Sequence, residues 1–289
     1  MTSSLCSADW DDSALPAWGS AKDARVIVVV EVGGSWGRDT VADAGLKSPK
    51  GATLYVVRSP GRHAETPSLQ RVIVSGGFDN EPWLVTGKLN APGVSTFLSG
   101  NVVEESWWSE FGFERSDEPA LLVCTNGVRD TCCAVRGRPV AQSAYAAEPT
   151  RTWEVSHIGG HRFAPTAIHL PSGQTFGRLT GDDAATLARA ATTDALPAEL
   201  FSRAKHRGRV DLSPAQRVAE TWWREQHPEL PLTPPVAIGA ATKTDGGESV
   251  ELPDGTTLLV TTHKGPELRD SCIKNPKPSQ YYEGSLDHA

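Results

Sequence analysis

The sequence predicts an α/β protein. Three observations carry this reading. The run RVIVVVEV, residues 25–32, is β-branched and almost continuously apolar, the pattern of a strand buried on both faces. Further short β-branched runs alternate with helix-start signals along most of the chain. Proline and glycine turn signals separate the runs. At 289 residues the chain can bury a large core or divide into units.

Residues 1–22 read as a mobile polar arm, because acids and small polar residues dominate them. Residues 23–115 form a strand-rich α/β unit. After the first strand, GGSWGRDTVADA can turn into a short helix. ATLYVVR (52–58), RVIVSG (71–76) and WLVTGKL (83–89) are further strands.

Residues 116–205 form a second α/β unit. ALLVC (120–124) is a short apolar strand ending at a cysteine. The alanine-rich stretch 134–147 is helical after Pro139. TWEVSHI (152–158) is a strand that runs into a glycine-rich loop. APTAIHL (164–170) and QTFGRL (174–179) are strands joined by a Pro171-Ser172-Gly173 turn. Thr180 and Asp183 make a capping box for a helix over 181–193.

Residues 206–289 contain a helix, a hairpin and an extended tail. Ser213-Pro214-Ala215-Gln216 is a helix start with the cap, the first-position proline and the third-position glutamine in place. VELPDGTTLLVTT is a hairpin around Pro253-Asp254-Gly255. The proline-rich chain after Pro266 reads as extended.

The formal charge of −7 argues against nucleic acid or an anionic membrane as the main partner. No apolar run approaches the roughly 18 residues of a membrane span, and the acidic N-terminus lacks the apolar core of a secretory signal. Five cysteines are an odd number and are not spread as a disulfide framework. A reducing, cytoplasmic setting is the expectation.

Three of those cysteines lie in CTNGVRDTCC, residues 124–133. His157 and His161 frame HIGGH shortly afterwards, and both loops follow strands. A lone strand-end cysteine is most often a small buried hydrophobe, and an isolated HxxxH is weak. Together, two thiols and two imidazoles on short loops make a four-ligand set for zinc or for an iron–sulfur cluster. Cys132 and Cys133 are adjacent, so at most one faces the same point as Cys124. Gly159 and Gly160 would let the backbone fold tightly enough for the two rings to converge. From Cys124 to Arg178 the chain carries six arginines and three acids, a basic island in an acidic protein. That island suits docking of an acidic redox partner, although a solvated face is the plainer reading.

The blocks CTNGVRDTCCAVRGRPVA and WEVSHIGGHRFAPTAIHLPSGQTFGRL, with the earlier VEVGGSWGRDTV, resemble the sucrase/ferredoxin-like family over roughly residues 24–195. The resemblance implies a thioredoxin-like ferredoxin domain that binds a [2Fe–2S] cluster through Cys124, Cys133, His157 and His161. It implies a one-electron carrier rather than a substrate-converting enzyme. No carboxylate pair supports glycoside cleavage, and the thioredoxin C-x-x-C pair is missing. Histidine ligation would raise the potential, to about −150 to +300 mV in Rieske centres against about −400 mV in plant-type ferredoxins, and could couple the electron to a proton. The rival is a structural Cys2His2 zinc site in a binding protein, which predicts a colourless protein. A thiol enzyme using Cys132 or Cys133 is a third reading.

Overall fold

The computed structural model describes residues 5–61 and 65–286. Helix α1 (Cys6–Asp12) leads into β1 (Val26–Glu31), α2 (Thr40–Asp43), β2 (Thr53–Arg58), β3 (Gln70–Gly76) and β4 (Trp83–Leu89). There follow α3 (Ala91–Ser99), α4 (Glu105–Glu110), β5 (Glu114–Arg115), β6 (Ala120–Cys124), α5 (Thr131–Ala147) and β7 (Thr152–Val155). Then come β8 (Ala167–Leu170), β9 (Gln174–Phe176), α6 (Gly181–Arg189), β10 (His206–Arg209) and α7 (Pro214–Gln226). The chain ends in β11 (Thr242–Thr244), β12 (Gly247–Glu251), β13 (Thr257–Leu268) and β14 (Lys277–Leu286).

The α/β expectation holds. One ten-stranded sheet runs in the order β10-β9-β8-β6-β7-β2-β1-β3-β4-β5. Its middle explains the valine-rich run. β1 lies between β2, to which it is parallel, and β3, to which it is antiparallel, and its five valine and isoleucine side chains are all buried.

The sheet contains the same arrangement twice. β1 and β2 are parallel, β3 is antiparallel to β1, and β4 to β3. Likewise β6 and β7 are parallel, β8 is antiparallel to β6, and β9 to β8. A helix crosses over inside each parallel pair and another follows each hairpin. The halves join through antiparallel pairing of β2 with β7, where Arg58 and Glu154 form a buried ion pair at 2.8 Å.

Several local expectations change. The segment read as a mobile polar arm packs from Leu5 onward: α1 buries Cys6 and Trp10. Two of its three acids are paired, Asp11 with Arg136 and Arg178 and Asp9 with Arg269, while Asp12 is exposed. Residues 1–4 lie outside the described residues. The helix expected only after Pro139 begins at Thr131. Asp130 caps it by accepting from Cys132 N at 3.1 Å, and an internal proline removes only one helical hydrogen bond of a seventeen-residue helix. The helix expected to reach 193 ends at Arg189, and the strand expected from Ala164 starts at Ala167.

The C-terminal region holds more sheet than the expected hairpin and extended tail. β11 to β14 form a four-stranded antiparallel sheet against α7, burying Ala215, Val218 and Ala219 against Val250, Leu258 and Val260. Pro266 falls at the register irregularity between Lys264 and Glu267, where no ladder bond is needed from it. The capping boxes at Thr180 and Ser213 form as the sequence implies. Among the described residues no helix is long and apolar enough to cross a membrane.

Candidate metal centre

Strand β6 delivers Cys124 to the sheet end, and α5 starts seven residues later, at Thr131. Gly137 lets that helix lie against the carbonyl of Cys124, where a β-carbon would clash with backbone. Successive helical residues point about 100° apart, so Cys132 and Cys133 face different neighbours. Cys133 faces Cys124, and Cys132 faces Cys6 and Cys272. The structure thereby separates two residues that spacing alone leaves equivalent.

After β7 the chain turns through Gly159 and Gly160, both at positive φ (79° and 73°), into a short 3-10 turn at His161–Phe163. The two imidazoles come face to face with centroids 5.5 Å apart. Arg207, fully buried, donates to the carbonyl of Gly159 at 3.2 Å and so holds the loop. The cis Ala164–Pro165 bond follows the turn.

Cys124 thus neighbours Cys133 and His157, and His157 stacks on His161. Both cysteines are buried and both histidines half-buried. The Cys133 thiol donates to Cys124 and pulls its pKa down against the cost of burial, with help from His157 and the backbone N–H of Ile158. The Cys133 thiol is pushed up, first by that same bond and then by burial. Burial pushes His161 down, opposed by Asp130, whose carboxylate lies 3.7 Å from Nε2. Most informative are the Nδ1 atoms of His157 and His161, which are buried and have no hydrogen-bond partner. Buried polar atoms are rarely left so, and an electron-pair acceptor would satisfy both.

A second group surrounds the neighbouring cysteine. Cys6, Asp130, Cys132 and Cys272 bring their ligand atoms within 4.8 Å of one another, and this buried group could hold a metal ion. Sequence reading missed it. Cys6 lay in the supposed arm and Cys272 in the supposed tail, without a partner in either place. Only the count of five cysteines hinted that none was idle. Asp130 borders both groups, and hydrogen bonds from Ser271 and Cys272 hold its carboxyl below the usual range despite burial.

The basic island divides in two. Arg136 and Arg178 bind Asp11, and Arg162 lies over Trp10 at 4.9 Å, so these arginines hold the N-terminal segment. Arg129 instead lines a 170 Å³ cavity with Lys22, Arg38 and His157.

A sequence profile described as Sucrase/ferredoxin-like matches residues 17–201. No curated protein and no solved structure matches the chain.

Proposed function

This chain belongs to the sucrase/ferredoxin-like family, and we propose that it carries single electrons on a [2Fe–2S] cluster held by Cys124, Cys133, His157 and His161. One observation carries the reading: two neighbouring buried cysteines lie close to His157 and His161, whose buried Nδ1 atoms have no hydrogen-bond partner. The donor set fits, because two thiolates and two neutral imidazoles are a known ligand complement for such a cluster. When bound, the cluster supplies a one-electron couple at a potential raised by its histidine ligands.

The residues do the rest. The two cysteines bind on the buried side, where the sheet end excludes water. The half-buried histidines form the side nearest solvent, so the electron path to a partner runs past them. The Asp130 carboxylate stands 3.7 Å from Nε2 of His161 and biases the ring electrostatically from that side. Gly159 and Gly160 set the spacing of the rings, and Arg207 keeps their loop from drifting. Lys22, Arg38 and Arg129 beside His157 form a positive rim that suits an acidic redox partner.

The test is purification without oxygen, followed by visible absorption and separate iron, sulfide and zinc assays. The expected protein is red-brown with about two irons and two sulfides per chain. A colourless protein that takes up no iron on anaerobic reconstitution would overturn the reading.

A further inference from the structure

We propose that Cys6, Cys132 and Cys272, completed by Asp130, form a second metal site that binds zinc and clamps both ends of the chain to the second half of the sheet. This goes beyond the electron-carrier reading and does not rest on it, since none of the four residues belongs to the proposed cluster ligands.

The three sulfurs form a triangle. Cys6 and Cys132 are 3.4 Å apart, Cys132 and Cys272 3.1 Å, and Cys6 and Cys272 3.6 Å. A disulfide would bring two of them to about 2.05 Å and leave the third over. Four sulfurs around zinc at about 2.3 Å would stand about 3.8 Å apart. The triangle is therefore near the edge length of a zinc tetrahedron and far from a covalent bond. Asp130 Oδ1 lies 3.9 Å from Cys6 Sγ, beside the triangle, where it can take the fourth position.

The surroundings treat the sulfurs as electron-rich acceptors. Ser7 N and Ser7 Oγ donate to Cys132 Sγ at 3.4 and 3.2 Å, and Cys6 N donates to Cys272 Sγ at 3.4 Å. Such donors are the usual outer shell of metal-bound thiolates. Ser271 Oγ and Cys272 N hold the other carboxylate oxygen of Asp130 at 2.7 and 3.0 Å, which fixes the group's orientation. Three thiolates and a carboxylate around a dication leave excess negative charge, and Arg162 and Arg269 lie within electrostatic reach of Cys6. With all donor atoms inside 4.8 Å there is room for one ion, and a thiolate-rich tetrahedral set selects zinc.

Each of the three thiols comes from a different part of the fold. Cys6 lies on α1, Cys132 in the first turn of α5, and Cys272 in the connection from β13 to β14. One ion would join all three.

The test counts zinc, iron and sulfide separately on the full chain purified anaerobically. The expected result is about one zinc per chain. Cys272→Ser, at a half-buried position, should retain less than about a tenth of it while iron and sulfide stay unchanged. Cys124→Ser should lose iron and keep zinc. X-ray absorption at the zinc edge of the unaltered protein gives a readout independent of variant folding, with three sulfurs at about 2.3 Å and one oxygen at about 2.0–2.2 Å. Absence of zinc even after anaerobic addition with a reductant overturns the proposal, as does a zinc shell containing nitrogen. So does zinc that leaves with Cys124→Ser but survives Cys272→Ser. Absence of iron and sulfide from the unaltered protein, with zinc in place, would count against the electron-carrier reading instead.

Discussion

The two halves of the ten-stranded sheet share a topology and differ in chemistry. In each, a strand ends in a loop that leads to a helix capped by the aspartate of an Arg-Asp-Thr triplet. Asp39 accepts from Ala42 N in the first half, and Asp130 from Cys132 N in the second. Counting from these caps, the positions of Cys124, Cys132 and Cys133 correspond to Gly33, Val41 and Ala42. The loops even touch, with Asn126 Nδ2 donating to Gly37 O at 3.0 Å and Thr40 Oγ1 at 3.2 Å. The sheet therefore does not select the chemistry. Side chains in the loops at the strand ends do, on a frame that holds either set.

The strongest way to break that comparison is to exchange matched loop residues. Cys124→Ser is expected to abolish visible absorption and bound iron. The matched Gly33→Ser, where no ligand is proposed, should leave both unchanged. A Cys124→Ser protein that keeps its iron would refute the ligand assignment.

The outer edges of the halves are also built differently. The first half ends in an apolar cluster, with Phe97 stacked on Phe113 at 4.7 Å. The second ends in a buried ionic network, in which Glu220 accepts from Gln174 at 2.9 Å and from Arg209 and Arg224 at 3.2 Å. Glu220→Ala leaves the buried Arg224 without its carboxylate, while Arg209 keeps Asp211, and should cost about 3–5 kcal/mol in denaturant unfolding. Phe97→Ala should cost a similar ~3–5 kcal/mol through cavity formation.

Acid separates the two edges. Arg209 and Arg224 overcome burial and hold Glu220 down at about 2, while burial holds His206 down at about 3. Both groups are depressed in the folded state. Their stabilisation is complete above the unfolded histidine value of about 6.5, and it falls as pH drops toward those folded values. Amide exchange in β9 and β10 should therefore rise between about pH 6.5 and 4.5 relative to β3 and β4. Equal acceleration at both edges would contradict this.

The smallest effect compares the caps. Asp39→Ala should cost about 1 kcal/mol, the value of a helix cap. Asp130→Ala should cost more, because Asp130 also receives bonds from Ser271 and Cys272. Urea midpoints of the two variants would show whether the caps are equivalent.

Much of the sheet was legible because a buried strand advertises itself: the valines of β1 have no other use. The capping boxes were legible because their partners lie three residues apart. The proposed ligands Cys124, Cys133, His157 and His161 stand in short-range motifs, which is why a sequence reading could single them out. The helix start at Thr131 was hidden by Pro139, whose local penalty a long helix absorbs. The doubled topology was hidden because α2 and α5 differ greatly in length, leaving only the Arg-Asp-Thr triplet in common. The group around Cys132 was invisible because its ligands are separated by most of the chain, and pairings at that range leave no local pattern. The acids near the N-terminus misled for the same reason, since Arg136, Arg178 and Arg269 are their distant partners.

That range has a consequence for the timing of biosynthesis. The residues from Cys124 to His161 leave the ribosome together, so the first centre can assemble while the remainder is still being made. Cys272 is made 266 residues after Cys6. At about 5–20 residues per second, the earlier thiol waits for seconds to tens of seconds before its last companion exists. Closure of the triangle therefore waits until the connection from β13 to β14 has been made.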